Sequence, residues 1–193
     1  MKLLHLDSSA LGANSVTREL SGAIVARWQD AVPGLTVDYR DLDTNPLPHL
    51  TGSVLTGADA DAKVEGDAAM DQFLASDVIV IGAPMYNFGI PSTLKAWIDR
   101  VAVAGKTFRY TEKGPEGLAT GKRVVVASGR GGIYGDASPA DFQEAYLRQV
   151  FGFLGISDVE FVRAEGVAYS PQHRTDALAA AHASIREPLR EAA

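Results

Sequence analysis

The stretch that decides the fold is residues 77–89, DVIVIGAPMYNFG. Its first part, Val78 to Gly82, is apolar throughout, which is typical of a strand buried on both faces of a parallel sheet. Its second part, Ala83 to Gly89, places two aromatic residues, an amide and a glycine directly after that strand. The stretch therefore predicts a buried strand that runs into a loop suited to a flat ligand with a polar edge.

On both sides of this stretch, predicted strands alternate with predicted helices. Apolar or alternating runs predict strands at 3–6, 35–39, 77–82, 122–128 and 159–162. Apolar spacing of three and four residues, or a high alanine content, predicts helices at 15–30, 60–75, from Pro91 onward, 139–154 and 172–190. In the fourth of these helices, the residues expected to face the core are Phe142, Tyr146, Val150, Phe153 and Leu154.

The alternation continues over the whole length, which predicts right-handed crossovers and a parallel sheet with helices on both faces. We therefore predict an α/β fold, a flavodoxin-like three-layer sandwich with a five-stranded sheet in the order 2-1-3-4-5. Residues 107–121 are rich in turn formers and are expected to leave the sheet, while residues 41–56 are expected to be a connection. The length of 193 residues fits a single domain, residues 1–193.

Composition argues against several classes of function. Acidic residues outnumber basic ones by 24 to 18, whereas nucleic acids and anionic membrane surfaces attract proteins with excess lysine and arginine. The absence of cysteine excludes disulfides, thiolate metal sites and cysteine nucleophiles, and the four histidines show no ligand spacing. No stretch approaches the roughly 18 apolar residues of a membrane span. We expect a cytoplasmic protein without a metal, a nucleic acid partner or a membrane.

Three loops are predicted to meet at one edge of the sheet, because they follow the first, third and fourth strands of the predicted order. Residues 8–17 combine hydroxyls with a helix start, which suits a phosphate; an ordinary capped helix is the alternative. Residues 83–89 suit the edge and face of a heterocycle, or else close the core with their aromatics. Residues 128–132 let a ligand approach the backbone, or form only a tight turn. Together the loops favour a flavin.

Several longer segments resemble one family: residues 84–88, 107–118, 130–133, 153–156 and 164–166. They are similar to those of the FMN-dependent NADH azoreductases, also described as NADH:quinone oxidoreductases, and the resemblance extends over nearly the whole chain. It implies a ping-pong transfer of two electrons, as hydride, from NADH through FMN to quinones or aromatic azo compounds. Since the flavin would carry the chemistry, no catalytic side chain is predicted.

The resemblance also implies which residues contact FMN. The phosphate contacts fall on Ser9, Ser15, Val16 and Thr17. The contacts along the ring fall on Met85, Tyr86, Asn87 and Phe88. Further FMN contacts fall on Pro84, Gly129, Arg130, Gly131 and Gly132. It further implies homodimers with flavin sites at the interface, where Tyr110 and Phe153 shape the substrate pocket. Family members often carry serine at the place of Gly129, whereas the serine here is Ser128, so the side-chain hydrogen bond at that place is open.

Two alternatives from other classes fit part of the pattern. A flavodoxin-like electron carrier without its own small-molecule substrate would share the acidic composition, but the excursion at 107–121 suits a substrate pocket better than an open docking face. A flavin-free signalling domain of the same fold would be a colourless protein. Turnover of NADH with a quinone and the absorption spectrum distinguish these alternatives from the enzyme.

Overall fold

Strands and helices alternate along the chain in the computed structural model, which describes residues 1–136 and 138–188. The strands are β1 (Lys2–Asp7), β2 (Thr36–Asp41), β3 (Val78–Pro84), β4 (Phe108–Thr111), β5 (Gly114–Gly117), β6 (Arg123–Gly129) and β7 (Asp158–Ala164). The helices are α1 (Val16–Ala31), α2 (Gly52–Leu55), α3 (Ala60–Ala75), α4 (Ser92–Val101), α5 (Phe142–Phe153) and α6 (Pro171–Ser184).

Five parallel strands form the central sheet in the order β2-β1-β3-β6-β7. The predicted five-stranded parallel sheet is thus confirmed, and the predicted order 2-1-3-4-5 agrees with the observed one in sense. The other two strands, β4 and β5, pair with each other as an antiparallel hairpin. This hairpin lies within the segment predicted to leave the sheet.

Helices cover both faces of the sheet. On one face, α1 and α6 pack over a core that includes Leu20 and Trp28. On the other, α3, α4 and α5 pack over a core that includes Phe73, Trp97 and Phe151. Strand β3 is buried at every residue because it lies at the centre of the sheet, between β1 and β6. In residues 1–136 and 138–188, no helix has the length and apolar character needed to cross a membrane.

Capping residues set several of the helix ends. Ser15 accepts a hydrogen bond from the amide of Arg18 and caps α1. The predicted last helix, 172–190, is too long at its end, since α6 ends at Ser184; residues 189 and 190 lie outside the described residues. The helix α2 was not predicted, because four residues are too short to show a periodicity.

The predicted core face of α5 is wrong in part. Phe142 is 64% exposed and does not belong to the core, whereas Leu154 is buried and the other three predicted residues are partly buried and pack against the core. The buried face of the helix carries Phe151 together with two polar residues, Gln143 and Glu144. Those two side chains can occupy core positions because buried partners satisfy their hydrogen bonds. The spacing of apolar residues gives no information about such partners, so the sequence pattern did not predict their burial.

Candidate functional site

The three predicted loops meet at the carboxyl edge of the sheet. The Ser9 and Tyr86 hydroxyls lie 3.3 Å apart, and the Ala10 amide donates to the Tyr86 hydroxyl over 3.1 Å. These contacts join the first loop to the second. The Met85 amide donates to the Gly129 carbonyl over 2.8 Å, which joins the second loop to the third. The fold therefore assembles the predicted residues of all three loops, while their contact with a ligand stays a prediction.

The first loop offers buried hydroxyls and free amides at the start of α1. Ser9, Ser15 and Thr17 are at most 3% exposed, and the hydroxyls of Ser15 and Thr17 lie 3.1 Å apart. Within the described residues, the amides of Val16 and Thr17 donate to no acceptor, as expected for the first turn of a helix. Hydroxyls, amides and the positive end of the helix dipole are the groups that bind a phosphate.

Arg18 holds the first loop in place through a hydrogen bond to the backbone of Ser9. Its guanidinium donates to both carboxylate oxygens of Asp41, over 2.7 and 2.8 Å, and to the Ser9 carbonyl over 2.9 Å. Asp7 lies 3.7 Å from the same guanidinium. The hydrogen bond with Asp41 raises the pKa of Arg18, and it lowers the pKa of Asp41. The sequence does not single out Arg18, because a charged residue near a helix start ordinarily faces water.

The second loop is a tight turn with positive φ at its two central residues. Tyr86 and Gly89 exchange two backbone hydrogen bonds of 3.0 Å. The φ angles are 49° at Asn87 and 70° at Phe88. Asparagine tolerates this conformation, but phenylalanine is strained in it, and such strain is concentrated at ligand sites. Phe88 is also 53% exposed, so the turn presents an aromatic ring beside an amide.

The third loop offers free amides rather than a free arginine. Among the residues that the structure describes, the amides of Gly131 and Gly132 donate to no acceptor. The Arg130 side chain is fully buried against protein carboxylates, and the Arg130 amide donates to the Ala164 carbonyl over 2.9 Å. The predicted flavin contact of Arg130 therefore has neither of these donors to support it.

Ser128 and Gly129 face opposite sides of the sheet, because side chains alternate along β6. The Ser128 hydroxyl donates to the side-chain oxygen of Gln143 over 2.9 Å, on the side of α5. Gly129 faces α1, where an added Cβ would lie 2.8 Å from Cγ2 of Thr17. Ser128 therefore does not supply the side chain that the resemblance implies at position 129, and the methyl of Thr17 fills that space.

The two predicted pocket residues both pack on the ring of Phe108, and Phe153 lies far from the second loop. The ring of Phe108 lies 5.6 Å from that of Tyr110 and 4.5 Å from that of Phe153. Helix α5 starts beside the second loop, where the Phe142 amide donates to the Phe88 carbonyl over 3.2 Å. At 1.5 Å per residue, Phe153 lies about 16 Å further along the helix. Within the described part of the chain, no ring contact or side-chain hydrogen bond joins Tyr110 or Phe153 to the loops.

An apolar groove of about 810 Å³ lies on the outer side of the second loop, between the loop and helices α4 and α5. Its walls include Tyr86, Asn87, Ile90, Phe142 and Tyr146. Aromatic and aliphatic walls beside a few polar groups are typical of sites for small aromatic ligands. The groove explains why Phe142 and Tyr146, which were predicted to be core, are only partly covered.

Known proteins similar to this chain share its fold over nearly the whole length. A family model described as a flavodoxin-like fold matches residues 1–189. An FMN-dependent NADH:quinone oxidoreductase from Stenotrophomonas maltophilia (strain K279a) is 68% identical over 185 residues, which cover 96% of this chain and 94% of that protein. The crystal structure of an azoreductase from Bacillus anthracis str. Sterne has a TM-score of 0.87 at 30% identity and covers 96% of both chains. An FMN-dependent NADH-azoreductase from Bacillus anthracis str. Ames Ancestor, in complex with FMN, has a TM-score of 0.87 at 27% identity and covers 95% of both chains.

Proposed function

The chain belongs to the flavodoxin-like family of FMN-dependent NADH:quinone oxidoreductases, and on that premise we propose that it transfers two electrons from NADH, through FMN, to quinones and aromatic azo compounds. We further infer that residues 1–193 act as one FMN-binding domain. The observation that carries the proposal is the convergence of the three loops, where amides left free by the protein face the same edge of the sheet.

The first loop fits the phosphate of FMN. The hydroxyls of Ser9, Ser15 and Thr17 and the free amides of Val16 and Thr17 would hold the phosphate oxygens, and the positive end of α1 favours their charge. No arginine is needed there, because the guanidinium of Arg18 is already matched by Asp41 and Asp7.

The second and third loops fit the ring. In our proposal, the free amides of Gly131 and Gly132 donate to the polar edge of the ring, and residues Pro84 to Phe88 line its side. FMN bound by these residues would supply the redox chemistry, the transfer of two electrons between NADH and the acceptor. The protein binds and orients the reactants, and we assign no side chain as an acid or base.

We propose that the enzyme is a homodimer whose partner completes the substrate pocket. Phe153 lies about 16 Å along α5 from the second loop, and Tyr110 packs with it on the ring of Phe108, so a second copy of the chain would have to bring them to a flavin. Phe88 and Phe142 are exposed beside the groove, and exposed apolar patches mark interaction surfaces. The expected cytoplasmic location stays a prediction that cell fractionation tests.

One set of measurements tests the activity. We expect the purified protein to be yellow, to release FMN on denaturation, and to give parallel double-reciprocal lines with NADH and a quinone. No turnover by FMN-loaded protein would contradict the enzyme and favour an electron carrier. A colourless protein that does not bind added FMN would contradict the flavin site itself.

A further inference from the structure

One buried arginine joins several segments around the third loop. The Arg130 side chain has no exposed surface. Its Nε donates to the Ser128 hydroxyl over 3.1 Å, and its Nη1 donates to Glu165 over 3.1 Å. Its Nη2 lies 2.6 Å from Glu144 and 2.8 Å from Asp141. Its donors are therefore used within the protein, although Arg130 is part of the loop predicted to hold a flavin.

The partners of Arg130 hold the chain in place on both sides of the free amides of Gly131 and Gly132. After the loop, Glu165 also accepts from the amides of Tyr134 and Gly135, over 3.1 and 3.3 Å. Before the loop, the Ser128 hydroxyl donates to Gln143, and the Gln143 amide donates to the Ala83 carbonyl over 2.9 Å. One guanidinium thus ties the third loop to the base of the second loop, to the start of α5 and to the segment after β7.

We propose that Arg130 is a positioning residue, which holds Gly131 and Gly132 so that their amides meet the polar edge of a bound flavin. This inference rests on the proposed FMN-dependent function. A rigid, planar fork is needed, because the four contacts radiate in different directions from one buried group. A lysine at this place would keep the charge but lose the geometry.

Arg163 provides a matched control in the same cluster. Its Nε and Nη2 bond the two carboxylate oxygens of Glu144 over 2.6 and 2.8 Å. Within the described residues it bonds neither Ser128 nor Glu165. Replacing Arg163 by lysine therefore disturbs the same buried carboxylate while leaving the braces on the third loop in place.

The test compares Arg130→Lys with Arg163→Lys in FMN titrations and in measurements of the midpoint potential of the bound flavin. We expect Arg130→Lys to raise the FMN dissociation constant roughly tenfold and to shift the potential, whereas Arg163→Lys changes the dissociation constant by less than about twofold and leaves the potential unchanged. Thermal unfolding of both apoproteins measures any general loss of stability separately.

Parental affinity and potential in Arg130→Lys would overturn the proposal, and so would an equal change in Arg163→Lys. If Arg130→Lys does not fold, Glu165→Gln removes the charge of one brace at nearly constant volume. That variant should weaken FMN binding and shift the potential in the same direction, and parental values in it would also overturn the proposal. Failure of the parent protein to bind FMN would instead contradict the proposed function.

Discussion

Gly129 and Thr17 share one small space between β6 and α1. Because an added Cβ at Gly129 would lie 2.8 Å from the methyl of Thr17, a serine at this position would overfill the contact. We expect Gly129→Ser to lower the free energy of unfolding by about 1–3 kcal/mol, as overpacking does, and to weaken FMN binding at the adjacent first loop. Urea unfolding of the apoprotein and FMN titration measure the two effects.

The control for this prediction is the exchange of Thr17 itself. Thr17→Ser removes the methyl that Gly129 faces but keeps the hydroxyl. The double variant Thr17→Ser with Gly129→Ser should therefore recover most of the lost stability, because the two residues are in direct contact and their effects are not independent. Simple addition of the two single effects in the double variant would contradict the shared space.

Asn87 combines a backbone constraint with a side-chain amide. Asn87→Gly keeps the positive φ of 49° without strain but removes the amide, so the turn should form while FMN binding weakens by about 1–3 kcal/mol. Asn87→Leu should add the cost of straining the turn. The measurements are FMN affinity, the potential of the bound flavin and thermal unfolding. Unchanged affinity and potential in Asn87→Gly would count against the assigned flavin contact.

At the level of elements, Arg18 and Asp41 connect the start of α1 to the end of β2. Their hydrogen bond holds the pKa of Asp41 below its ordinary value of 3.8. The ionised carboxylate therefore stabilises the fold fully at pH values above this ordinary pKa. This stabilisation is lost as the pH falls through the lower pKa of the folded state. We expect the stability of the parent to fall more steeply than that of Asp41→Asn between about pH 5 and about pH 2.

Urea midpoints measured across this pH range check the expectation. Asp43→Asn is the matched control, because Asp43 lies on the same connection and forms no ion pair within the described residues. It should retain the steep parental dependence. An Asp41→Asn protein with the same pH dependence as the parent would show that the ion pair adds nothing to the stability at acid pH.

What the sequence predicts well are the elements encoded by local apolar patterns. The unbroken run at 78–81 identifies the central strand, and Ser15 marks the start of α1, because each signal lies within the element that it defines. What it does not predict are buried polar pairs between distant residues. Glu144 follows Asp141 at the spacing of a helix start, but nothing local reveals that Glu144 binds Arg130, 14 residues earlier. For that reason the core face of α5 was partly mistaken.

The features of the candidate site also divide into those that the sequence predicts and those that it does not. The three loops could be predicted, because their positions after strands follow from the fold. The strained turn at Phe88 could not be predicted from the sequence, because phenylalanine rarely adopts a positive φ. The burial of the Arg130 guanidinium could not be predicted either, since its carboxylate partners come from the start of α5 and from the segment after β7.

For the whole molecule, we expect a dimer with twice the 20.4 kDa mass of one chain. Tyr110 is 75% exposed on the hairpin and is proposed to reach the partner's site. Tyr110→Ala should therefore raise the KM for the acceptor several-fold, about 1 kcal/mol of lost binding, without changing FMN affinity. Tyr110→Phe, which keeps the ring, should stay close to the parent.

Light scattering and steady-state kinetics measure these effects. A fully active species with the mass of a single chain would contradict the dimer. A change in FMN affinity in Tyr110→Ala would contradict the assignment of this tyrosine to the substrate pocket rather than to the flavin site.

The hydrogen bond between Arg130 and Glu165 can form only late in the synthesis of the chain. The chain leaves the ribosome amino end first, and the first two loops emerge well before Glu165, which follows Arg130 by 35 residues. Until β7 and Glu165 have emerged, the third loop lacks one of its braces. If the third loop holds FMN as we propose, capture of the cofactor would be a late event in biosynthesis, because a nascent chain that ends before Glu165 lacks this brace.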